Sequence, residues 1–348
     1  MDCRPAENSV LTQDLKAFAS SFPFNEEIKG KSFLITGATG LIGSLIVKAL
    51  LEINRLHDRN VEILATARNP GKIFDSSSVE WIIQDITAPL AIDREVDFIF
   101  HCAGITDSKQ MIQHPVEVLQ TMFDGTRNIL SLSRQSGTQS LVYLSSIESY
   151  GTFIKDQNIK EDASGYVDPM LTRSCYPMGK RAAETLCYAY FSEYNLPVKV
   201  ARLTQTFGAG VDKDDRRVFA QFAKCAIAGE PIVLHTEGSS SKPYCYTIDA
   251  LNALFYILLK GQDGEAYNVA NASTYISVKE MAHLVARNFG NSEVVINASE
   301  NTCYAPPTLS RLDTSKLESL GWKPEYSLED MYSRLIEYIK EENGTNKP

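Results

Sequence analysis

No run of about 18 apolar residues occurs anywhere in the 348-residue chain, so the sequence offers no membrane-spanning helix. The amino end, MDCRPAENSVLTQDLKAFASSF, has no basic segment leading into an apolar one, which argues against a secretory leader. Seven cysteines, at positions 3, 102, 175, 187, 225, 245 and 303, include no CxxC pair and no metal-ligand spacing. Scattered thiols of this kind suit a reducing compartment, and the expected location is the cytoplasm. The five histidines, His57, His101, His114, His235 and His283, form no local metal signature, so no metal is expected. Excess positive charge is missing too. A formal net charge of -9 gives no broad attraction to nucleic acid or to an anionic membrane, so the phosphates of any ligand must be met by a few individually placed cations.

What is present is a chain that is 44% hydrophobic and long enough for one large domain or two moderate ones. Residues 1–30 read as an amphipathic arm, with Leu11, Leu15 and Phe18 at helical spacing, that docks on its own domain in preference to a neighbouring subunit. From Lys31 onward, short β-branched or aromatic runs (SFLIT, VEILAT, VEWII, VDFIFH, SLVYLSS, PVKVARLT) alternate with helical patterns over 41–51, 114–133 and 177–194. That alternation predicts βαβ units and an α/β doubly wound parallel sheet of Rossmann type over 31–207. Residues 208–348 read mostly as a smaller α+β substrate-binding domain, with segments near 245–272 returning to the first domain.

The segment TGATGLIG, residues 36–43, follows the first strand and opens the first helix of that alternation. Gly37 permits a tight turn, Gly40 admits a pyrophosphate close to backbone N–H groups, and Gly43 lets helix and strand approach. Thr39, Leu41 and Ile42 complete the expected cofactor contact. An NAD-specific fold usually ends its second strand in an acid for the ribose hydroxyls, whereas here Ala65 stands in LATARN and no acid follows. Arg68 is then a candidate for a 2′-phosphate, or a solvated loop residue, so the cofactor is read as NAD or NADP with NADP slightly favoured. Asp85, with Ile86 beside it, is a candidate acceptor for an adenine amino group or else a helix cap. Ala103, after the strand VDFIFH, completes the expected cofactor surface.

Tyr176 and Lys180, four residues apart, share one face of the helix they open. An ammonium near a phenol lowers its pKa, which suits Tyr176 to exchange a proton with a substrate hydroxyl. The strand SLVYLSS ends in two hydroxyls, of which Ser146 rather than Ser145 is the candidate to hydrogen-bond the reacting oxygen. Glu148, two residues on, is a candidate base or water-positioning group, or a turn cap.

TGATGLIG, SSIESYG and YPMGK together resemble the extended short-chain dehydrogenase/reductases of the NAD-dependent epimerase/dehydratase type, from Lys31 to the end of the chain. RSCYPMGKRAAETLCYAY, VARLTQTFGAG, AGEPIVLHTEGSSSKPYCYTID and LGWKPEYSLED make the resemblance greatest to UDP-glucuronate decarboxylases. The resemblance implies catalytic roles for Ser146, Glu148, Tyr176 and Lys180, and a nucleotide-sugar substrate held by Gln205, Arg217, Lys242 and Arg311. It also implies a homodimer paired through the helices at 114–133 and 177–194. The chain departs from the pattern at Lys242 (Arg in the family), at Met122 (a cofactor-contacting Asn), at His101-Cys102-Ala103-Gly104-Ile105 (HLA-S-P) and at Ala65 (an acid).

The expected reaction passes through a 4-keto sugar. A 4,6-dehydratase would carry an acid where Ile147 stands, so simple dehydration is disfavoured. Decarboxylation fits the full Ser-Glu-Tyr-Lys set, and C4 epimerisation needs only Ser, Tyr and Lys. Two alternatives remain at this point. One is an NADPH-dependent reductase of a nucleotide-linked keto sugar, and the other a catalytically silent dinucleotide-binding regulator.

Overall fold

The computed structural model describes residues 8–74, 76–153, 156–290, 292–298 and 308–344. Residues 1–7 of the expected arm, with Cys3, and Cys303 lie outside them. In chain order the elements begin α1 (Ser9–Ser21), β1 (Ser32–Thr36), α2 (Leu41–His57), β2 (Glu62–Ala67), β3 (Glu80–Ile83), β4 (Phe98–His101), α3 (Ser108–Gln113) and α4 (Pro115–Gln135). They continue β5 (Ser140–Ser146), β6 (Asn158–Ile159), α5 (Cys175–Tyr194), β7 (Val198–Leu203), β8 (Gln205–Phe207), α6 (Val218–Ala228), β9 (Ile232–Leu234) and β10 (Ser241–Tyr246). The last are α7 (Thr247–Lys260), β11 (Ala266–Val269), β12 (Asn271–Ser277), α8 (Val278–Val285), β13 (Val294–Ile296), β14 (Arg311–Leu312), α9 (Ser315–Glu318) and α10 (Leu328–Glu342).

Seven strands form one parallel sheet in the order β11-β7-β5-β4-β1-β2-β3, the doubly wound arrangement expected from the sequence. The apolar runs SFLIT and SLVYLSS are buried along almost their whole length, as strands covered on both faces must be. On one face, α1, α2 and α7 close a core that continues into α10 and includes Phe33, Phe255 and Tyr332. On the other, α4 and α5 cover Leu141, Tyr143 and Val198. Because all seven strands run the same way, their carboxyl ends gather at one edge. There the turns after β1, β4 and β5 meet the start of α5, where such sheets bind ligands.

Beyond β8 a three-stranded sheet, β12-β10-β8, lies alongside two short parallel pairs, β13-β9 and β14-β6. Helix α1 packs on α2, α7 and α10 of its own chain, with Val10, Leu11, Leu15 and Phe18 buried. Among the described residues no helix is long and apolar enough to cross a membrane, and no group of His, Cys, Asp and Glu is placed to hold a metal ion. The five described cysteines are free thiols.

Candidate active site

The glycine loop is shaped by contacts that only glycine permits. Gly37 has φ +64°, and a Cβ there would lie 2.7 Å from the Ala103 backbone. A Cβ on Gly43 would lie 2.3 Å from the Gly37 carbonyl oxygen, so helix α2 could not seat against the turn. Gly40 caps α2 without any side-chain hydrogen bond to the first turn, which leaves those N–H groups available to an anion at the positive end of the helix. Behind the loop, His101 Nδ1 lies 2.7 Å from Thr36 Oγ1, and its Nε2 lies 3.1 Å from Thr126 Oγ1. Burial pushes the pKa of His101 down to about 3, so the ring is a neutral bridge. Thr36 Oγ1 in turn accepts from the Ala103 N–H at 3.2 Å. This bridge between β1 and β4 is the structural use of the altered HCAG segment.

Thr39, Leu41 and Ile42 line the same turn and are partly exposed. Ala65 lies inside β2, buried, two residues before the strand ends at Ala67, and the first residue past the strand is Arg68, which is not acidic. The Arg68 guanidinium reaches across to Asp85, 3.9 Å away, and both side chains are well exposed. Asp85 also accepts from the Thr87 N–H and hydroxyl at 2.9 Å, so it caps a turn as well as facing Arg68. Ile86 is buried, packs on the bare face of Gly125, and gives its carbonyl to Asn128 Nδ2 at 2.9 Å. These features fit a dinucleotide: an uncapped helix end behind three close-approach glycines, with polar groups at the ends of β2 and β3.

Ser146 ends β5, and Tyr176 lies in the first turn of α5, which begins at Cys175 rather than at Pro177. The Ser146 hydroxyl accepts from the Glu148 N–H at 3.2 Å and is near enough to Tyr176 to lower its pKa. Ser145 is committed elsewhere, to Glu184, which is held by Arg202 at 2.7 Å. Geometry therefore separates the two hydroxyls. Lys180 Nζ donates to the Leu144 carbonyl at 2.6 Å and sits 5.9 Å from the centre of the Tyr176 ring.

The sequence expectation for the Tyr176 phenol is reversed. Burial pushes its pKa up to about 12, and the Glu148 carboxylate adds to the rise. The Ser146 hydroxyl and the charges of Arg173 and Arg217 oppose it without winning. Lys180 does not offset the burial, because its ammonium is turned to the Leu144 carbonyl and is itself buried, which lowers its pKa to about 8.

Glu148 forms an ion pair with Arg173 at 2.9 Å, and that guanidinium stands 5.4 Å from the Tyr176 ring centre. Arg173 was not singled out from the sequence. Its signal was its place three residues before Tyr176, just ahead of the turn that opens α5. Lys242 feels Glu148 and Arg217; burial, the largest influence, lowers its pKa. Gln205 starts β8, beside Tyr244 of β10. Arg217 is held by Asp215 at 2.5 Å, and its charge reaches both Tyr176 and Lys242. Arg311 instead stacks on Tyr275 at 3.9 Å and pairs with Asp156 at 3.5 Å, and the contacts around Tyr176 do not include it. The cleft thus brings Ser146, Glu148, Tyr176, Lys180, Arg217 and Lys242 together.

The sequence profile of the NAD dependent epimerase/dehydratase family matches residues 33–270. The chain belongs to this family, and it is an enzyme of the extended short-chain dehydrogenase/reductase class. It is 30% identical over 335 residues to UDP-glucuronic acid decarboxylase 1 of Xenopus tropicalis, covering 94% of this chain and 77% of that protein. With UDP-glucuronic acid decarboxylase 5 of Arabidopsis thaliana it shares 32% over 321 residues, covering 90% of this chain and 91% of the relative. The crystal structure of UDP-glucose 4-epimerase from Thermotoga maritima with UDP-glucose has the same fold, with a TM-score of 0.75 at 21% identity over 90% of this chain and 99% of that one. The resemblance read from the motifs is borne out at the level of family and fold.

Proposed function

We propose that the protein oxidises C4 of a UDP-linked hexuronic acid and releases its C6 carboxylate as carbon dioxide, recycling a bound dinucleotide. The observation that carries this reading is the juxtaposition of Tyr176, Ser146 and Lys180 with Glu148, which Arg173 holds beside them. Its relatives named as UDP-glucuronic acid decarboxylases support the choice of substrate. Gln205, Arg217 and Lys242 are assigned to the nucleotide-diphosphate end. Arg311, stacked on Tyr275, is assigned to its rim.

In this reading Tyr176 accepts the proton of the C4 hydroxyl while Ser146 hydrogen-bonds the same oxygen. Residues 37–43 with Ile86 and Ala103 hold the dinucleotide, and Lys180 adds a donor on its side of the cleft. When bound, the dinucleotide would bring a positive charge, take the C4 hydrogen with its electron pair, and give that hydrogen back to C4 after carbon dioxide has left, so that no net redox change remains. The resulting 4-keto group is β to the carboxylate, so cleavage of the C5–C6 bond delivers its electrons towards the C4 oxygen, where Tyr176 and Ser146 stand. Glu148 positions the water or proton needed at C5.

For the cofactor, the missing acid at the end of β2 and Arg68 favour NADP. The Asp85 carboxylate beside Arg68 works against it, because a 2′-phosphate would share that guanidinium with an anion. We propose NAD(H) as the resident dinucleotide. The exposed apolar stripe of Val116, Leu119 and Phe123 on α4, beside Tyr188 on α5, is assigned to a homodimer face.

The test is to incubate the protein with UDP-glucuronate, UDP-glucose, and dTDP-, GDP- and CDP-sugars, with and without NADPH, and to weigh the products. Loss of carbon dioxide from UDP-glucuronate alone is expected. An isomer of unchanged mass would indicate epimerisation, and a gain of two hydrogens with NADPH would indicate the reductase. No product from any sample, with dinucleotide still bound, would indicate a silent binding protein.

A further inference from the structure

Helix α1 stands outside the alternation that builds the sheet, yet it carries a fully buried acid. Asp14 has no solvent exposure and faces two partners far along the chain, the Tyr246 hydroxyl and the Arg334 guanidinium. Arg334 Nε also donates to the Tyr246 hydroxyl at 3.2 Å, which closes a three-membered knot between α1, the end of β10 and α10. A buried carboxylate is tolerated only while such partners remain, so the knot is satisfied as a unit or not at all.

Tyr246 is where this knot touches the substrate side of the cleft. Its ring packs at a tilt against Tyr326 with centroids 4.3 Å apart, and it fills the space over Gly208, where a Cβ would lie 2.2 Å from the ring. The next residue, Thr247, donates its hydroxyl to the Ala209 carbonyl at 3.1 Å. Tyr246 is registered with Phe207, and Tyr244 with Gln205, so the strand pair β10 and β8 is fixed from this end. The same pair bears Lys242 and Gln205. On the other side α1 is anchored to the dinucleotide layer: it packs on α2 and α7, with Phe18 and Phe22 against Phe255 at 5.8 and 5.0 Å.

We propose that Asp14 is a positioning residue for the nucleotide-sugar end of the cleft: by holding Tyr246 and Arg334 it seats the β8–β10 pair, with Gln205 and Lys242, against the layer that binds the dinucleotide. The assignment of Gln205 and Lys242 to substrate rests on the proposed function, whereas the mechanical link from α1 to β8 and β10 does not. Asp14 touches neither ligand, so its loss acts on binding through strand placement.

The experiment uses the full chain carrying Asp14→Asn, and separately Tyr246→Phe, which removes only the hydroxyl and keeps the ring over Gly208. Two readouts are taken. The first is affinity for UDP-glucuronate, UDP and NAD+ by calorimetry. Weakening of both uridine ligands by about tenfold in Asp14→Asn and less in Tyr246→Phe is expected, with NAD+ within twofold of wild type. The second is amide hydrogen exchange without ligand, where faster exchange is expected in 205–210 and 241–246 but not in 37–45. Equal weakening of NAD+ and the uridine ligands, or unchanged exchange in 205–210, would overturn the proposal. If Asp14→Asn does not fold, Tyr246→Phe is judged by the same criteria. If the wild-type protein binds no uridine ligand, the proposed substrate fails, and the exchange pattern alone decides the role of Asp14.

Discussion

Glu148 and Arg173 form an ion pair at 2.9 Å beside the Tyr176 ring, and the two charges pull the phenol's pKa in opposite directions. Neutralising Glu148 removes a carboxylate that raises the Tyr176 pKa, while neutralising Arg173 removes a cation that lowers it. In Glu148→Gln the rising limb of the pH–rate profile, which reports ionisation of the proton-accepting Tyr176, is expected to move to lower pH, with kcat reduced by roughly 10²-fold, because the group assigned to C5 is gone. Arg173→Gln should move that limb the other way. Measured profiles of kcat/KM for the three proteins check the signs, and parallel shifts in the two variants would contradict the arrangement.

Lys180 is retained at a cost to stability. Its pKa is lowered from the usual 10.5 to about 8, chiefly by burial, so protonation is less favourable in the folded chain than in the unfolded one. A group shifted this way contributes its stability above pH 10.5, and that stability is lost as pH falls through 8. Lys180→Met is therefore expected to raise the urea midpoint at pH 7. The gain is bounded by about 3 kcal/mol, shrinks towards pH 10, and is reduced by the stranded Leu144 carbonyl. Turnover should be lost in the same variant. A lower midpoint at pH 7 with no pH trend would contradict the sign.

In the proposed reading, the Arg68–Asp85 pair sets the dinucleotide preference. Asp85→Asn frees the guanidinium from its 3.9 Å partner, so NADP+ affinity should rise by about three- to tenfold while NAD+ changes little. Arg68→Ala should lower NADP+ affinity selectively. Competitive fluorescence titration with both dinucleotides measures each change. Wild-type protein that binds NADP+ more tightly than NAD+ would reverse the proposed preference.

Asp249 provides a pH dependence in the frame behind the cleft. It accepts from the Glu325 and Tyr326 N–H groups at 3.0 and 3.2 Å, yet burial raises its pKa to about 7. With the folded pKa above the unfolded value near 3.8, the folded chain binds the extra proton between those limits. This group's contribution is full below about pH 4 and is lost as pH rises through 7, with a slope of at most about 1.4 kcal/mol per unit. Denaturation midpoints of wild type and Asp249→Asn at pH 5, 6, 7 and 8 should diverge, with wild type losing ground as pH rises. A constant difference would contradict it.

Much of this was readable in the sequence, because the signals were local. TGATGLIG announces a strand, a turn and a helix within eight residues, and the spacing of Tyr176 and Lys180 places both on one turn of α5. The buried runs of the parallel sheet carry their own pattern. What escaped depends on contacts between distant segments. The choice of Ser146 over Ser145 became physical only once Glu184 and Arg202 were seen to occupy Ser145. The direction of the Tyr176 shift depends on depth of burial, which spacing does not report. Arg173 needed its partner, and Asp14 meets Tyr246 across 232 positions of sequence. His101 belongs to no metal signature in the sequence, and its use, to hold Thr36 and Thr126 behind the glycine loop, depends on partners 65 and 25 positions away.

The fate of UDP-glucuronate carrying deuterium at C4 reports the proposed C4 oxidation without intermediaries. The purified protein with NAD+ is expected to release carbon dioxide more slowly from the labelled than from the unlabelled substrate, the UDP-sugar product to keep the label, and Tyr176→Phe to abolish the reaction while still binding NAD+. Carbon dioxide release at equal rates from both substrates, or full activity in Tyr176→Phe, would contradict it.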